Sequence, residues 1–176
     1  TAYHCRLGLW TGRKRIVKLK QVLATVSFDD LRAIARTMGL SLAAASRYGI
    51  IAALERQLTS APVVTTLVNK LSSNERDALD TLVMQGGSAP AHLFESEYGA
   101  LLRNQAYDAE AAQGQRRNAT TALYYSGLVF RLAGGAAGWG GLDAYTIPDE
   151  ILSHLPKRPR LAFTLMLQSA AQPAAV

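Results

Sequence analysis

In the N-terminal part of the chain, apolar residues recur at three- and four-residue intervals, the spacing of one face of an α-helix. Residues 14–26 combine such a face with lysines and arginines, and therefore predict a basic amphipathic helix. Ser27 and Ser46 stand where N-cap residues are expected before two further helices, and Pro62 lies near the start of a fourth. The predicted inward positions of these four helices are Ile16, Leu19, Val22, Leu23, Val26, Leu31, Ile34, Ala35, Met38, Ile50, Ile51, Leu54, Leu58, Val63, Val64, Leu67, Val68 and Leu71.

From residue 72 onward, the pattern predicts short strands as well as helices. Ser72 and Glu75 have the spacing of a capping box, and the helix that they begin is expected to end at Gly86 and Gly87. Residues 88–90 suit only one short edge strand. The later predicted elements are a helix over 91–98, a helix over 118–126 capped by Asn118, and strands over 128–132 and 144–147. The predicted inward positions of the helices are Ala78, Leu79, Leu82, Val83, Leu93, Phe94, Tyr98, Ala122 and Leu123.

Three helices with a short strand after the first and a hairpin after the third have the order of a winged helix. The glycine-rich residues 134–141 between the two hairpin strands would then be the wing. The glycine-rich stretch does not form a G-x-G-x-x-G turn between a strand and a helix, so a dinucleotide-binding fingerprint is rejected, and the sequence has no G-x-x-x-x-G-K-[ST] phosphate loop. We therefore predict a mainly α protein with a small β-hairpin. Its predicted units are a basic helical subdomain at 1–71, a winged-helix domain at 72–156, and a basic linker or start of a further segment at 157–176.

Two parts of the sequence resemble known families. The pair "FDDLRAIARTMGL" and "ASRYGIIAALERQL" resembles a SAP or Rho N-terminal helix–turn–helix motif, a resemblance that implies nucleic-acid binding. The runs "LSSNERDALDTLVMQGGSAPAHLFESEYG", "ALYYSGLVFRL" and "YTIPDEILSHLP" extend the resemblance over residues 27–156. Together they resemble bacterial helicase-associated proteins of the XPB N-terminal type, in which such a helical pair precedes a winged helix. The resemblance implies an accessory domain beside an ATP-driven helicase, or a free-standing relative of one.

The net charge of +6 at pH 7 is unevenly distributed along the chain. Residues 1–20 carry six basic and no acidic side chains, and residues 157–176 add three more basic ones. Residues 21–71 hold five basic against three acidic side chains, whereas residues 72–156 hold five basic against ten acidic ones. Because phosphate contacts dominate nucleic-acid affinity, this distribution favours binding through the N-terminal helices. The alternative for the basic face of residues 14–26 is simple solvation.

The candidate nucleic-acid contacts form two groups. One consists of cations in the basic N-terminal helix, and the other lies on or before the exposed face of the third winged-helix helix and beside the wing. Arginine and asparagine suit phosphates and base edges, and tryptophan stacks on exposed bases. The alternative is that Arg116 and Arg117 are solvated and that Trp139 packs over the sheet. The candidates are Arg13, Lys14, Arg15, Lys18, Lys20, Arg116, Arg117, Asn118, Thr121, Tyr125, Arg131 and Trp139.

The sequence offers little that suggests catalysis or metal binding. Cys5 is the sole cysteine, so neither a disulfide framework nor a thiolate metal site is expected. The acidic pairs Glu95 with Glu97 and Asp149 with Glu150 lack a neighbouring base or nucleophile, and are predicted to serve solvation and helix dipoles. The histidines, too dispersed for a metal site, are His4, His92 and His154.

We therefore expect a non-enzymatic protein without cofactor or metal. No apolar run approaches the roughly 20 residues that span a bilayer, so we expect no membrane partner and a cytoplasmic location, including association with the nucleoid. Two functions stay open. The first is a DNA-binding accessory module of a helicase-associated or DNA-transaction protein, acting mainly through the basic N-terminal helices. The second is a module whose acidic winged-helix domain binds a protein partner such as a helicase or transcription factor.

Overall fold

The computed structural model describes residues 16–41, 45–103, 118–134 and 141–155. Within these ranges the chain forms eight helices and one three-stranded antiparallel sheet, which confirms the mainly helical prediction. No helix of the described ranges is both long and apolar enough to cross a membrane. The elements are α1 (Leu19–Thr25), α2 (Phe28–Thr37), α3 (Arg47–Leu58), α4 (Ala61–Asn69), α5 (Ser73–Met84), β1 (Ser88–Pro90), α6 (Ala91–Tyr98), α7 (Ala119–Tyr125), β2 (Phe130–Leu132), β3 (Ala144–Thr146) and α8 (Asp149–Leu152).

Side-chain caps begin four of the helices at the predicted residues. The Ser27 Oγ accepts a hydrogen bond from the Asp30 N–H at 3.1 Å, and Ser46 caps α3 in the same way. Ser72 and Glu75 form the complete capping box of α5. The caps satisfy backbone donors that have no partner inside the helix, which is why local sequence predicts them well. The fourth cap, Asn118 at α7, is described with the candidate interface.

The sheet has the strand order β1–β3–β2, so β3 pairs with both other strands. In this register Ala89 and Arg131 both lie opposite Tyr145. β1 is an edge strand, as predicted. β2 begins at Phe130 rather than at residue 128, because the Val129 N–H still bonds to the Leu123 carbonyl of the preceding helix at 3.3 Å.

Two inward predictions are wrong. Ile16 lies outside α1 and is exposed, because the helix begins at Leu19 and Lys18 is still extended. Leu93 of α6 is 57% exposed, whereas Phe94 and Tyr98 of the same helix are buried. The rings of Phe94 and Tyr98 lie with their centroids 4.9 Å apart, so they supply the inward face of α6 without Leu93.

One hydrophobic core extends across both predicted units. It includes buried residues of α1 to α4 together with those of α5 to α8 and the sheet. Gly127, just after α7, shows how closely the units approach: a Cβ at this position would lie 3.2 Å from side-chain atoms of Ile34 and Leu58. The left-handed φ of Gly127, +76°, is also one that residues with a Cβ seldom adopt. Helices of the first unit therefore pack directly on the end of α7.

Candidate nucleic-acid interface

Two of the N-terminal candidates, Lys18 and Lys20, lie at the beginning of α1 and are exposed. The Lys18 Nζ is 3.8 Å from the Glu150 Oε1, and more than half of the lysine side chain remains in solvent. A pair of this length at an exposed site contributes little to stability. Both ammonium groups therefore remain available to an anionic ligand. The other N-terminal candidates, Arg13, Lys14 and Arg15, lie outside the described residues.

The first turn of α1 is held by two carboxylates from the other end of the described chain. The Val17 N–H donates to the Asp149 Oδ2 at 2.6 Å, and the Leu19 N–H donates to the Glu150 Oε2 at 3.0 Å. Carboxylates are favoured at a helix N-terminus, where unpaired N–H groups point outward. The predicted dipole pairing of Asp149 and Glu150 is thus present, but it serves α1 as well as their own helix α8.

The last turn of α1 is held by an arginine. One guanidinium nitrogen of Arg47 donates to the Ala24 and Val26 carbonyls, at 2.9 and 2.6 Å. A cation at the carbonyl end of a helix complements the carboxylates at its amide end. Opposite charges therefore hold both ends of α1.

The prediction that Thr121 and Tyr125 face solvent is wrong. They are only 7% and 6% exposed, and nearly every residue of α7 is buried. The reason is that α2, α5 and α6 all pack around this helix. The Thr121 hydroxyl accepts from the Leu102 N–H at 3.1 Å, so its polar atom is used inside the fold.

Asn118 lies at the start of α7, as predicted, but both ends of its amide are engaged. Its Oδ1 accepts from the Thr121 N–H at 2.8 Å, the expected N-cap bond. Its Nδ2 donates to the Ala100 carbonyl at 2.7 Å and so ties α7 to the chain after α6. The structure therefore gives Asn118 a structural role, while Arg116 and Arg117 lie outside the described residues.

A buried carboxylate joins the N-terminal helices to α7. Asp30 is buried, and its two oxygens accept hydrogen bonds from the hydroxyls of Tyr124 and Tyr125, each at 3.2 Å. Burial, and next the charge of Asp30, raise the pKa of Tyr124 well above its ordinary value. From local sequence alone, Asp30 is expected only to complement the dipole in the first turn of α2. The available signal was the adjacent tyrosine pair, since buried hydroxyls require partners.

Arg131, a predicted contact beside the wing, is bound by two carboxylates. Its Nε and Nη2 donate to the Asp143 Oδ2 at 3.3 and 3.0 Å, and its Nη1 donates to the Glu95 Oε1 at 3.2 Å. Tyr145 donates to the same Glu95 oxygen at 2.6 Å, and burial raises the pKa of Tyr145 far above its ordinary value. The Gly134 N–H, and next Arg131, lower the pKa of Asp143. The guanidinium thus fastens the base of the hairpin, while Trp139 lies outside the described residues.

The charge of the described residues is close to neutral. They carry ten basic and eleven acidic side chains, whereas the whole chain carries nineteen and thirteen. The positive excess therefore belongs to residues outside the described ranges, chiefly the N-terminal and C-terminal segments.

Within the described ranges, no group of three or more histidine, cysteine, aspartate or glutamate residues is placed to hold a metal ion. His154 lies on the surface with its Nε2 3.0 Å from the Thr59 carbonyl oxygen. Comparison with protein-family models, with curated proteins and with solved structures finds no match to this chain.

Proposed function

We propose that residues 72–155 form a winged helix that serves as the scaffold of a non-catalytic DNA-binding module. The order of elements, α5–β1–α6–α7–β2–β3, supports this proposal, as does a sheet in which the last hairpin strand pairs with the short first strand. The preceding pair α2 and α3 would be the SAP-like unit, in agreement with the resemblance to helicase-associated proteins. Such a module would act in the cytoplasm beside a separate motor.

The burial of α7 is the observation that carries the proposed division of roles. A helix that reads a DNA groove presents a polar face to solvent. α7 instead donates its two tyrosine hydroxyls to Asp30 and packs against α2, α5 and α6. DNA contact is therefore assigned to the basic N-terminal segment, residues 1–20, rather than to α7.

The charges around α1 support the same assignment. Residues 1–20 carry six cations and no acid, and Lys18 and Lys20 are exposed where this segment joins the fold. Six phosphate contacts on duplex DNA would give a slope of log affinity against log salt of about −5, since each phosphate contributes about −0.9. Affinity would then fall on the order of a thousandfold between about 50 and 200 mM salt.

Fluorescence anisotropy with the full chain and labelled DNA at these two salt concentrations tests the proposal. The test variant replaces Arg13, Lys14, Arg15, Lys18 and Lys20 by alanine, and we expect it to lose most of the affinity. A matched control removes five charges elsewhere, at Arg36, Arg56, Lys70, Lys157 and Arg158, and should bind far better than the test variant. Equal losses would show that total charge, rather than the N-terminal segment, governs binding. No binding by the unmodified chain at about 50 mM salt would refute the proposal.

A second candidate function is contact with a protein partner through the acidic residues of the winged helix. It is favoured by the exposed acids Asp77 and Glu97, which accompany the exposed apolar side chains of Met84 and Leu93 on α5 and α6. Substituting Met84 and Leu93 by serine should then weaken capture of a helicase or transcription partner without changing DNA affinity. This function would gain support from a chain that fails to bind DNA at low salt.

A further inference from the structure

Tyr48, in the first turn of α3, is 83% exposed. Among the described residues it is the most exposed large hydrophobic side chain and the sole aromatic in that class. The other four described tyrosines, Tyr98, Tyr124, Tyr125 and Tyr145, are all buried. A single exposed apolar residue is ordinary by itself. The surroundings of Tyr48 give its exposure a meaning.

The helix that carries Tyr48 is rigidly attached beside α1. Ser46 caps the first turn of α3, with its Oγ 3.2 Å from the Gly49 nitrogen. Arg47, the residue before Tyr48, bonds to the Ala24 and Val26 carbonyls and so fastens this turn to the end of α1. An aromatic ring on a fixed helix turn loses little conformational freedom when a ligand covers it, because only its side-chain torsions are restricted.

Small side chains flank Tyr48 along α3, and cations lie on the adjoining α1. Its neighbours at the next position and one turn further along α3 are Gly49 and Ala52, both exposed and too small to cover a ring. Residues 16–26 and 45–54 contain the cations Lys18, Lys20 and Arg47, while the neighbouring acids are Glu150, 3.8 Å from Lys18, and Glu55, two turns after Tyr48 on α3. Lys20 lies one turn before Ala24 on α1, and the side chain of Arg47, the residue before Tyr48, reaches the Ala24 carbonyl. The rise of the helix and the length of the arginine side chain therefore place Lys20 within about 20 Å of Tyr48.

An exposed aromatic ring beside cations is the arrangement with which proteins hold single-stranded nucleic acid. Bases stack on the ring, and the cations accompany the backbone. In a duplex the bases are stacked on one another, so a surface ring cannot reach their faces. We propose that Tyr48 is a stacking platform for an unpaired base, and that the strand continues across α1 towards Lys20 and Lys18. The inference rests on the proposed DNA-binding function and names the form of nucleic acid that the module takes.

Anisotropy with an oligothymidylate of about 15 nucleotides and with a duplex of the same length tests the inference. Tyr48→Ala should weaken single-strand binding about 5- to 100-fold, the loss expected for one stacked base, and leave duplex binding unchanged. Tyr48→Phe and Tyr48→Trp should bind the single strand as the unmodified chain does. Tyr48→Leu should behave like the alanine variant, because leucine is apolar but has no ring. Leu93→Ala removes another exposed apolar side chain, on α6, and is the control.

Each other outcome overturns the inference. Unchanged single-strand affinity of Tyr48→Ala would remove the stacking role, and equal losses on the two DNA forms would indicate a contact other than stacking. Retained affinity in Tyr48→Leu would indicate an apolar contact, such as one with a protein. If the five-alanine N-terminal variant loses DNA while Tyr48→Ala does not, the proposed function stands and this inference alone fails. If the unmodified chain binds neither DNA form, both fail. Because Tyr48 is exposed, circular dichroism and the thermal midpoint should not change in any of its variants.

Discussion

Removing the partners of Asp30 one at a time will measure how strongly the N-terminal helices are joined to α7. The two tyrosine hydroxyls lie 3.2 Å from the carboxylate oxygens, longer than the usual 2.5–3.0 Å of such bonds. Hydrogen bonds to charged groups contribute about 1.5–3 kcal/mol, and the long distances favour the lower end. We therefore expect Tyr124→Phe and Tyr125→Phe each to lower the free energy of unfolding by about 1.5 kcal/mol.

The double and triple variants distinguish a true hydrogen-bonded group from simple packing. The double tyrosine variant leaves a buried carboxylate without either donor, so its loss should exceed the sum of the single losses and reach about 4 kcal/mol. Asp30→Ala leaves two buried hydroxyls without their acceptor and should lower the free energy of unfolding by about 2–4 kcal/mol. Adding both phenylalanines to Asp30→Ala should restore part of that loss, because no polar group is then left unpaired.

Urea unfolding followed by far-ultraviolet circular dichroism gives these free energies, and constant slopes would show that the variants share one unfolding transition. Tyr48→Phe, which removes an exposed hydroxyl, is the control and should change stability by less than about 0.5 kcal/mol. The reasoning would be refuted by single tyrosine variants that match this control. It would also fail if the triple variant were less stable than Asp30→Ala.

Three further predictions concern other parts of the fold. Gly99→Ala should lower the free energy of unfolding by about 2–3 kcal/mol, because the φ of Gly99, +92°, is one that glycine favours and a Cβ would lie 2.7 Å from the Asn118 side chain. Urea unfolding measures this loss, and an unchanged unfolding midpoint would contradict the prediction. Arg131→Met should lower the free energy of unfolding by about 1 kcal/mol, because it removes the ion pair with Glu95. Adding 1 M salt should reduce the difference in unfolding free energy between this variant and the unmodified chain, because salt screens the ion pair. The raised pKa values of Tyr124 and Tyr145 mean that both tyrosines keep their protons in the folded state after the unfolded chain loses them. The stability that the two tyrosines contribute is complete below about pH 10 and is lost as the pH rises beyond it. Tyrosinate absorbance from these two residues should therefore appear only together with unfolding, and its appearance in a still-folded chain would contradict the prediction.

Local sequence predicted the features that depend on a few neighbouring residues. The caps at Ser27, Ser46, Ser72 and Asn118 could be predicted because each cap satisfies N–H groups within its own first turn. The order of helices and strands was predictable for a similar reason, since hydrophobic periodicity and glycine positions are local signals. These signals established a mainly helical chain with a small sheet.

Tertiary structure alone decided which polar side chains remain available. Thr121 and Tyr125 looked like surface residues because one polar stripe on a helix predicts one exposed face. α7 has no such face, since neighbouring elements supply partners for the hydroxyls of Thr121, Tyr124 and Tyr125, and Asp30 does so from 95 residues before Tyr125. Likewise, the carboxylates that hold the start of α1 come from the far end of the described chain. The sequence by itself determined the elements and their caps. Long-range pairing of buried polar groups determined which side chains remain on the surface for a ligand, and the sequence could not show this because such pairing leaves no periodic pattern.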